Sequence, residues 1–406
     1  MPTASPKSVR SAPEDGFLAA LRAFDAFGAP TEVVEEDGLI YYVNEYWTAA
    51  QRSAHALHEI SYRACFKPQL PAFFIERLTK AGETVFDPFM GRGTTPLQAA
   101  LLGRRAVGSD ANPLSLMLAR PRLRPPAIEA IEARLSQAPF AKGEIEREDL
   151  LAFYHPETLR QICALRAWLI ESLPPEREPD PVDDWIRMVA LNRLTGHSPG
   201  FFSVYTMPPN QAVSVKAQLK INARRAQTPP QRDIGKLILR KSRSLLADGG
   251  PPPGPAAALA VADAAKLAHL RDASVDLVVT SPPFLDVVDY RGDNWLRNWF
   301  AGVDAEAIPL SQLRGLDAWT RMTRAVFEEL ARVVRPGGHV AYEVGEVRRG
   351  AVLLERLVWE AMAGLPFERL CVMVNRQRFT KTSNCWGVAN NSKGVNSNRI
   401  VLARRR

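Results

Sequence analysis

The sequence predicts an α/β fold: a mostly parallel sheet interrupted by a long helical insertion. Three observations carry this reading. Short apolar runs alternate with helical patterns from Thr84 to about residue 120 and again from 256 onward, as in βαβ units. Three of the runs end at or near an aspartate, and ligands of open α/β sheets bind at such carboxyl ends. Between the two blocks, over 121–255, the rhythm gives way to helical patterns broken by proline clusters.

The elements follow in order. Residues 1–14 read as a polar tail, and GFLAALRAFDAF as a helix. LIYYVN is a short strand. Leu70 to Leu78 carries apolar residues at helical spacing, with Pro71 near the first turn, where proline is tolerated. TVF is a strand, DPFMGRGTT a glycine-rich turn, TPLQAALLG a helix closing on Gly103, and RRAVGSD a second strand. After the insertion, GGPPPGP reads as a linker or long turn. ALAVAD and SVDLVVT are the next strands. Trp319, Met322, Val326, Leu330 and Val333, spaced three and four apart, mark a helix over 316–334. RPGG turns it into the strand HVAYEVG. RLCVMVN and NRIVLAR close the sheet as an antiparallel pair around a polar loop. The resulting division is a tail and helix over 1–40, one α/β domain over 41–120 and 256–406, and the insertion over 121–255.

Composition bounds the function. The chain has 406 residues, 46% hydrophobic and 24% charged, which is globular usage. Its net charge of +8 admits an anionic partner. Much of the positive charge clusters: Lys216, Lys220, Arg224, Arg225, Arg232, Lys236, Arg240, Lys241 and Arg243 lie within 210–245 against one acid, Asp233. Four widely spaced cysteines with no CxxC pair argue against a zinc site and a disulfide framework. His55, His58 and Glu59 are read as structural, so no metal is expected. The polar N-terminus and the lack of a long apolar run predict neither a signal peptide nor a membrane span, hence a cytoplasmic protein.

Two stretches carry chemistry. In FDPFMGRGTT, Gly91 and Gly93 allow a tight turn and close backbone approach to a ligand. Asp110, ending the following strand, has the placement of an acid that accepts hydrogen bonds from ribose hydroxyls; helix capping is the plain alternative and is compatible with binding. Asp87 and Asp263 end the strands on either side. The second stretch is VVTSPPFLD, where a buried strand stops in a serine, two prolines and an aromatic. Prolines end strands, so a simple turn is the plain alternative.

DPFMGRGTTPLQAALLGRRAVGSDANP resembles the S-adenosylmethionine motif of the amino-DNA methyltransferases, and SPPF at 281–284 resembles their catalytic signature. FKPQLPAFFIERLTKAGETVFDPF, RPGGHVAYEVG and NSNRIVLARR are similar to further family segments, so the resemblance covers about 60–120 and 259–406. It implies a Rossmann-like class I methyltransferase fold, a mostly parallel seven-stranded sheet with an antiparallel C-terminal hairpin, here with a mainly helical insertion.

It also implies a cofactor, S-adenosylmethionine, held by Lys67, Pro68, Asp87, Pro88, Phe89, Gly91, Gly93, Thr94, Asp110 and Asp263. The catalytic set would be Ser281, Pro282, Pro283 and Phe284. An exocyclic amine is a weak nucleophile because its lone pair is delocalised. The Ser281 hydroxyl and the Pro282 carbonyl would accept from its N–H groups, and Phe284 would stack on a base flipped out of the duplex. Serine in the first position points to cytosine N4. Adenine N6, an RNA or protein-amide substrate, and a catalytically dead DNA-binding subunit are the rivals. C5 methylation does not fit, since no cysteine follows a proline.

Duplex DNA is the expected partner, with a cognate restriction endonuclease as a further one and a monomer or homodimer as the assembly. Lys216, Lys220, Arg224, Arg225, Arg232, Lys236, Arg240, Lys241, Tyr290 and Arg297 are the candidate DNA contacts. The insertion precedes the third strand of the domain, an unusual slot for a target-recognition region in the resembled family. QRFTKTSNCWGVANNSKG is another candidate reader of the target.

Overall fold

The computed structural model describes residues 16–48, 54–63, 65–174, 176–207, 211–283, 290–308, 315–347, 352–376 and 397–406. The chain opens with helix α1 (Gly16–Arg22) and a hairpin of strands β1 (Glu32–Glu36) and β2 (Leu39–Asn44). Helix α2 (Gln69–Leu78), strand β3 (Thr84–Asp87), helix α3 (Thr94–Leu101), strand β4 (Arg105–Asp110) and helix α4 (Pro113–Leu123) follow. Five helices occupy the middle: α5 (Ile128–Gln137), α6 (Pro156–Ser172), α7 (Pro181–Leu191), α8 (Val215–Arg225) and α9 (Ile234–Leu245). Strands β5 (Ala258–Val261) and β6 (Val275–Thr280), then helices α10 (Tyr290–Ala301) and α11 (Leu316–Val333), restore the α/β rhythm. Strands β7 (Val334–Val344), β8 (Glu346–Val347) and β9 (Val352–Leu353), helix α12 (Leu354–Ala361) and strands β10 (Phe367–Arg376) and β11 (Ser397–Arg405) complete it.

The main sheet runs β1-β2-β10-β11-β7-β6-β3-β4-β5. The expected strands are there, with β10 and β11 as the antiparallel C-terminal pair. The sheet is nevertheless nine-stranded rather than seven-stranded. The additional pair is the β1–β2 hairpin, whose second strand pairs parallel with β10. A two-residue turn at Asp37 and Gly38, both with positive φ, closes the hairpin. EVVEE gave no strand signal because every residue of β1 is exposed, so no buried face imposes an alternation.

Chain order decides where a crevice opens. From β3 the chain steps outward to β4 and β5, and then returns to β6 on the other side of β3 before continuing to β7. The connections therefore diverge between β3 and β6, which makes the carboxyl ends of these two strands the topological switch point. The register is parallel, with Val85 opposite Leu277 and Phe86 opposite Val278.

Alternation along the strands divides the core. Val340, Tyr342 and Val344 of β7 face one side with Trp319, Val326 and Phe327 of α11. Ala341 faces the other side with Leu277, Val279 and the α2 residues Phe73 and Phe74. The middle helices form a third core around Trp185, which is fully buried and donates through Nε1 to Ser242 Oγ at 2.9 Å. That core also contains Leu114 and Leu118 of α4 and Leu296 and Phe300 of α10. The helices of 121–255 thus share apolar packing with elements next to both chemical stretches.

Gly93 is a tight joint between the glycine-rich turn and α4. Its φ is +78°, and an added Cβ would meet Ala119 Cβ on α4 at 2.5 Å. Gly93→Ala is expected to cost about 2 kcal/mol or more, because left-handed strain adds to the overlap. Denaturant unfolding of the two proteins measures it.

Candidate active site

The glycine-rich turn is built around two carboxylates. Asp87, at the end of β3, is buried and accepts from the backbone N–H of Phe89 at 3.0 Å. Asp110, at the end of β4, accepts from Gly91 N at 2.9 Å through one oxygen and from Asn112 N at 2.8 Å through the other. Gly91 and Gly93 both have positive φ, and Gly93 N closes the turn on Met90 O at 2.6 Å. The capping and binding readings of Asp110 coexist, since each carboxylate oxygen keeps a second lone pair. Burial pushes the Asp87 carboxyl up to about 7, against hydrogen bonds from Thr280 and Phe89 that favour the charged form. Burial also raises Asp110.

The SPP turn is held from three sides. Thr280 Oγ1, the last residue of β6, donates to Asp87 Oδ1 at 2.5 Å and so ties the two stretches together across the switch point. Trp319, fully buried on α11, donates from Nε1 to the Pro283 carbonyl at 3.1 Å. Glu343 on β7 stands in register beside Ser281 and accepts from Asn398 Nδ2 at 2.9 Å; burial raises its pKa, and Asn398 and the Ser281 hydroxyl oppose that rise. Behind the turn, Thr95 Oγ1 on α3 donates to Val279 O at 3.0 Å. Glu343 and Trp319 were not anticipated in these roles. A trace of Glu343 exists in HVAYEVG, where an acid breaks an apolar run.

The segment before α2 folds over the cofactor-type turn. Arg92 donates to Ile60 O at 2.8 Å and Phe66 O at 3.3 Å. Arg122, fully buried, reaches Leu57 O at 3.0 Å and the carbonyl of Arg92 itself. His58 Nε2 lies 3.0 Å from Gln98 Oε1 on α3. Lys67 is exposed and Pro68 caps α2. Asp263 is exposed, two residues beyond β5, and accepts from Ala265 N at 2.9 Å.

The basic residues separate into two groups. Lys216, Lys220 and Arg224 are exposed at four-residue spacing on α8, a helix that buries only Gln218. Arg225, also exposed, stacks on Tyr205 at 3.9 Å. On α9, Lys241 is 13% exposed and paired with Glu59, Arg243 with Glu132 and Lys236 with Asp233. Arg240 is exposed and donates to Pro199 O at 3.4 Å; Arg232, just before α9, is half-buried. Arg297 is no surface contact: it is 9% exposed and donates to Ser61 O at 3.0 Å and to Asn294 Oδ1 at 2.8 Å. On α10 it is buried together with Asp293, Asn294 and Asn298. Phe284, the Tyr290 side chain and the whole of QRFTKTSNCWGVANNSKG lie outside the described residues.

Comparison with known proteins gives the following. The profile of a family described as DNA methylase, of the N6/N4 type, matches residues 32–119. A type II methyltransferase of Methanocaldococcus jannaschii, M.MjaII, is 35% identical over 72 residues, 18% of this chain and 13% of that protein. The Streptococcus pneumoniae type II methyltransferase M2.DpnII is 46% identical over 59 residues, 14% of this chain and 22% of its own. The chain thus covers less than a quarter of either relative. Among solved structures, a putative DNA modification methylase from Thermus thermophilus, complexed with S-adenosyl-L-methionine, is 24% identical. It covers 35% of this chain and 53% of its own at a TM-score of 0.21.

His58 gives a check on this packing. Burial, with Arg122 and Arg92 beside it, lowers its pKa to about 3, so the folded protein holds it neutral. An unfolded histidine titrates near ~6.5. Below that pH the unfolded chain binds more protons, and stability falls as pH drops toward about 3. His58→Gln is expected to flatten this loss by up to about 1.4 kcal/mol per pH unit, read from urea unfolding between pH 7 and 4.

Proposed function

We propose that this chain, which belongs by its residues 32–119 to the amino-DNA methyltransferase family, methylates the exocyclic N4 amino group of cytosine in duplex DNA. The observation that carries the reading is the Thr280–Asp87 hydrogen bond at the switch point. It brings a glycine-rich cofactor turn and a hydroxyl-bearing SPP turn to the same crevice.

S-adenosylmethionine supplies an electrophilic methyl group when bound. The residues of the first turn suit it. At Gly91 an added Cβ would be in ordinary contact with Tyr62 and Cys65 at 3.8 and 3.9 Å, and it is the left-handed φ of +49° that favours glycine there. Asp110 offers acceptors for a diol, and Asp87 puts a carboxyl at the end of the adjoining strand.

Ser281 and Pro282 then orient the amine. The proline ring fixes φ near about −65°, and Trp319 already occupies the Pro283 carbonyl. That leaves the Pro282 carbonyl and the Ser281 hydroxyl as acceptors for the two N–H groups. Accepting both favours a pyramidal nitrogen with a free lone pair. Positioning and electrostatics therefore supply the chemistry. The target base must leave the duplex to reach this depth.

The exposed row on α8 suits the DNA backbone. Lys216, Lys220 and Arg224 have no ion-pair partner among the described residues. Phosphate contacts of this kind give affinity without sequence information.

Nucleoside mass analysis of DNA treated with labelled cofactor tests the substrate. Label on N4-methylcytosine is expected, and label on N6-methyladenine alone would replace cytosine by adenine. Ser281→Ala is expected to lower kcat at least about 100-fold with cofactor affinity unchanged. Replacing Lys216, Lys220 and Arg224 together by alanine is expected to weaken DNA binding uniformly across sequences. It should reduce the slope of log K against log salt by about 2 to 3, measured by titration at several salt concentrations.

A further inference from the structure

A methylated amine must lose a proton, and a serine hydroxyl alone cannot keep one. The acids buried in the fold indicate where the proton goes. Six carboxylates are buried among the described residues: Asp87, Asp183, Asp184, Asp293, Glu343 and Glu355. Four of them are paired with arginine. Arg134 meets Asp183, Arg120 and Arg187 meet Asp184, Arg63 meets Asp293, and Arg399 meets Glu355. Asp87 and Glu343 have no cation among the described residues, and both sit at the crevice. An uncompensated buried carboxylate is costly, and such groups concentrate at functional sites.

Strand geometry puts Glu343 beside Ser281. Thr280 of β6 is in register with Tyr342 of β7, so the next residues, Ser281 and Glu343, are neighbours. Tyr342 points to the α11 side, and Glu343 to the opposite side with Ala341. Asn398 on β11 donates to one carboxylate oxygen, Oε1, at 2.9 Å, and the nearby Ser281 hydroxyl favours the charged form of Glu343 against the burial that raises its pKa.

We propose that Glu343 is the positioning residue for Ser281 and the final acceptor of the amine proton. The proposal rests on the reading that Ser281 faces the target amine. A carboxylate accepts only, so the Ser281 proton points to Glu343 and the serine lone pairs face the amine. As the amine nitrogen bonds to the methyl carbon, the carbon–sulfur bond breaks with its electrons left on sulfur. The amine proton passes to Ser281 Oγ while the serine proton passes to Glu343. The products are a neutral methylamine, a neutral thioether, the restored hydroxyl and a neutral carboxyl. The serine of SPPF thereby works with a carboxylate that comes from the neighbouring strand.

Glu343→Gln tests this with the full chain. The Gln oxygen stays with Asn398, its amide N–H turns to Ser281, and the hydroxyl then points its proton at the amine. Methyl transfer to unmodified DNA is expected to fall about 100-fold in kcat. The KM for DNA and the calorimetric Kd for S-adenosylmethionine should stay within about twofold, as for an interaction made only in the transition state. Because the two residues act as a unit, the Ser281→Ala/Glu343→Gln double variant should be no slower than Ser281→Ala.

Glu343→Gln at wild-type kcat, with Ser281→Ala impaired, overturns the relay alone. Losses that multiply in the double variant overturn it too. Full turnover by Ser281→Ala sinks the reading of the serine and the relay with it. If Glu343→Gln fails to bind cofactor, Glu343→Asp carries the test. It keeps the charge but withdraws it by one methylene, so kcat should fall at least about tenfold with cofactor Kd unchanged. Wild-type kcat in that variant overturns the proposal.

Discussion

The hydrogen bond from Thr280 to Asp87 is the joint on which the site depends. It spans neighbouring parallel strands whose connecting segments leave in opposite directions. In open α/β sheets a divergence of this kind is where ligands bind. The glycine-rich turn leaves from one strand and the SPP turn from the other. Asp87 also accepts from Phe89, so one carboxyl sets the start of the first turn and the end of the second strand. Its burial holds its pKa near neutrality, which makes this joint sensitive to the charge of whatever binds beside it.

The surroundings stiffen that joint. Trp319 clamps Pro283 from below, Glu343 stands beside Ser281 on the neighbouring strand, and Thr95 anchors Val279 from α3. Arg92 and Arg122 hold the segment before α2 over the first turn through backbone carbonyls. A catalytic constellation needs such support, because small displacements of reacting groups lower rates steeply. The middle helices belong to the same support, since their core takes in α4, which follows Asp110, and α10, which follows the SPP turn.

Charge was legible in composition but not in placement. The basic run over 210–245 reads as one patch in sequence. In the fold, α8 carries its cations on an exposed row, whereas α9 uses Lys241 and Arg243 to bind its own neighbours. The difference is the apolar pattern. Ile234, Leu237, Ile238 and Leu245 bury one side of α9 and bring its flanking cations against acids, while α8 has no comparable stripe. Arg297 shows the same limit, because α10 buries it beside Asp293, Asn294 and Asn298 and its guanidinium bonds inside the fold.

The sequence by itself determined the α/β class, the place of the interruption, the glycine turn with its two aspartates, and the SPP turn. These are local features, set by periodicity over a few residues and by the conformational limits of glycine and proline. Only the tertiary structure decided that β1 exists, since an exposed strand has no pattern to read, and that β2, legible as LIYYVN, joins the sheet beside β10. It alone brought Glu343 behind Ser281, Trp319 under Pro283 and Thr280 onto Asp87. Those contacts join residues 36 to 193 positions apart or lie across a strand register, and register is settled by which faces the whole sheet must bury.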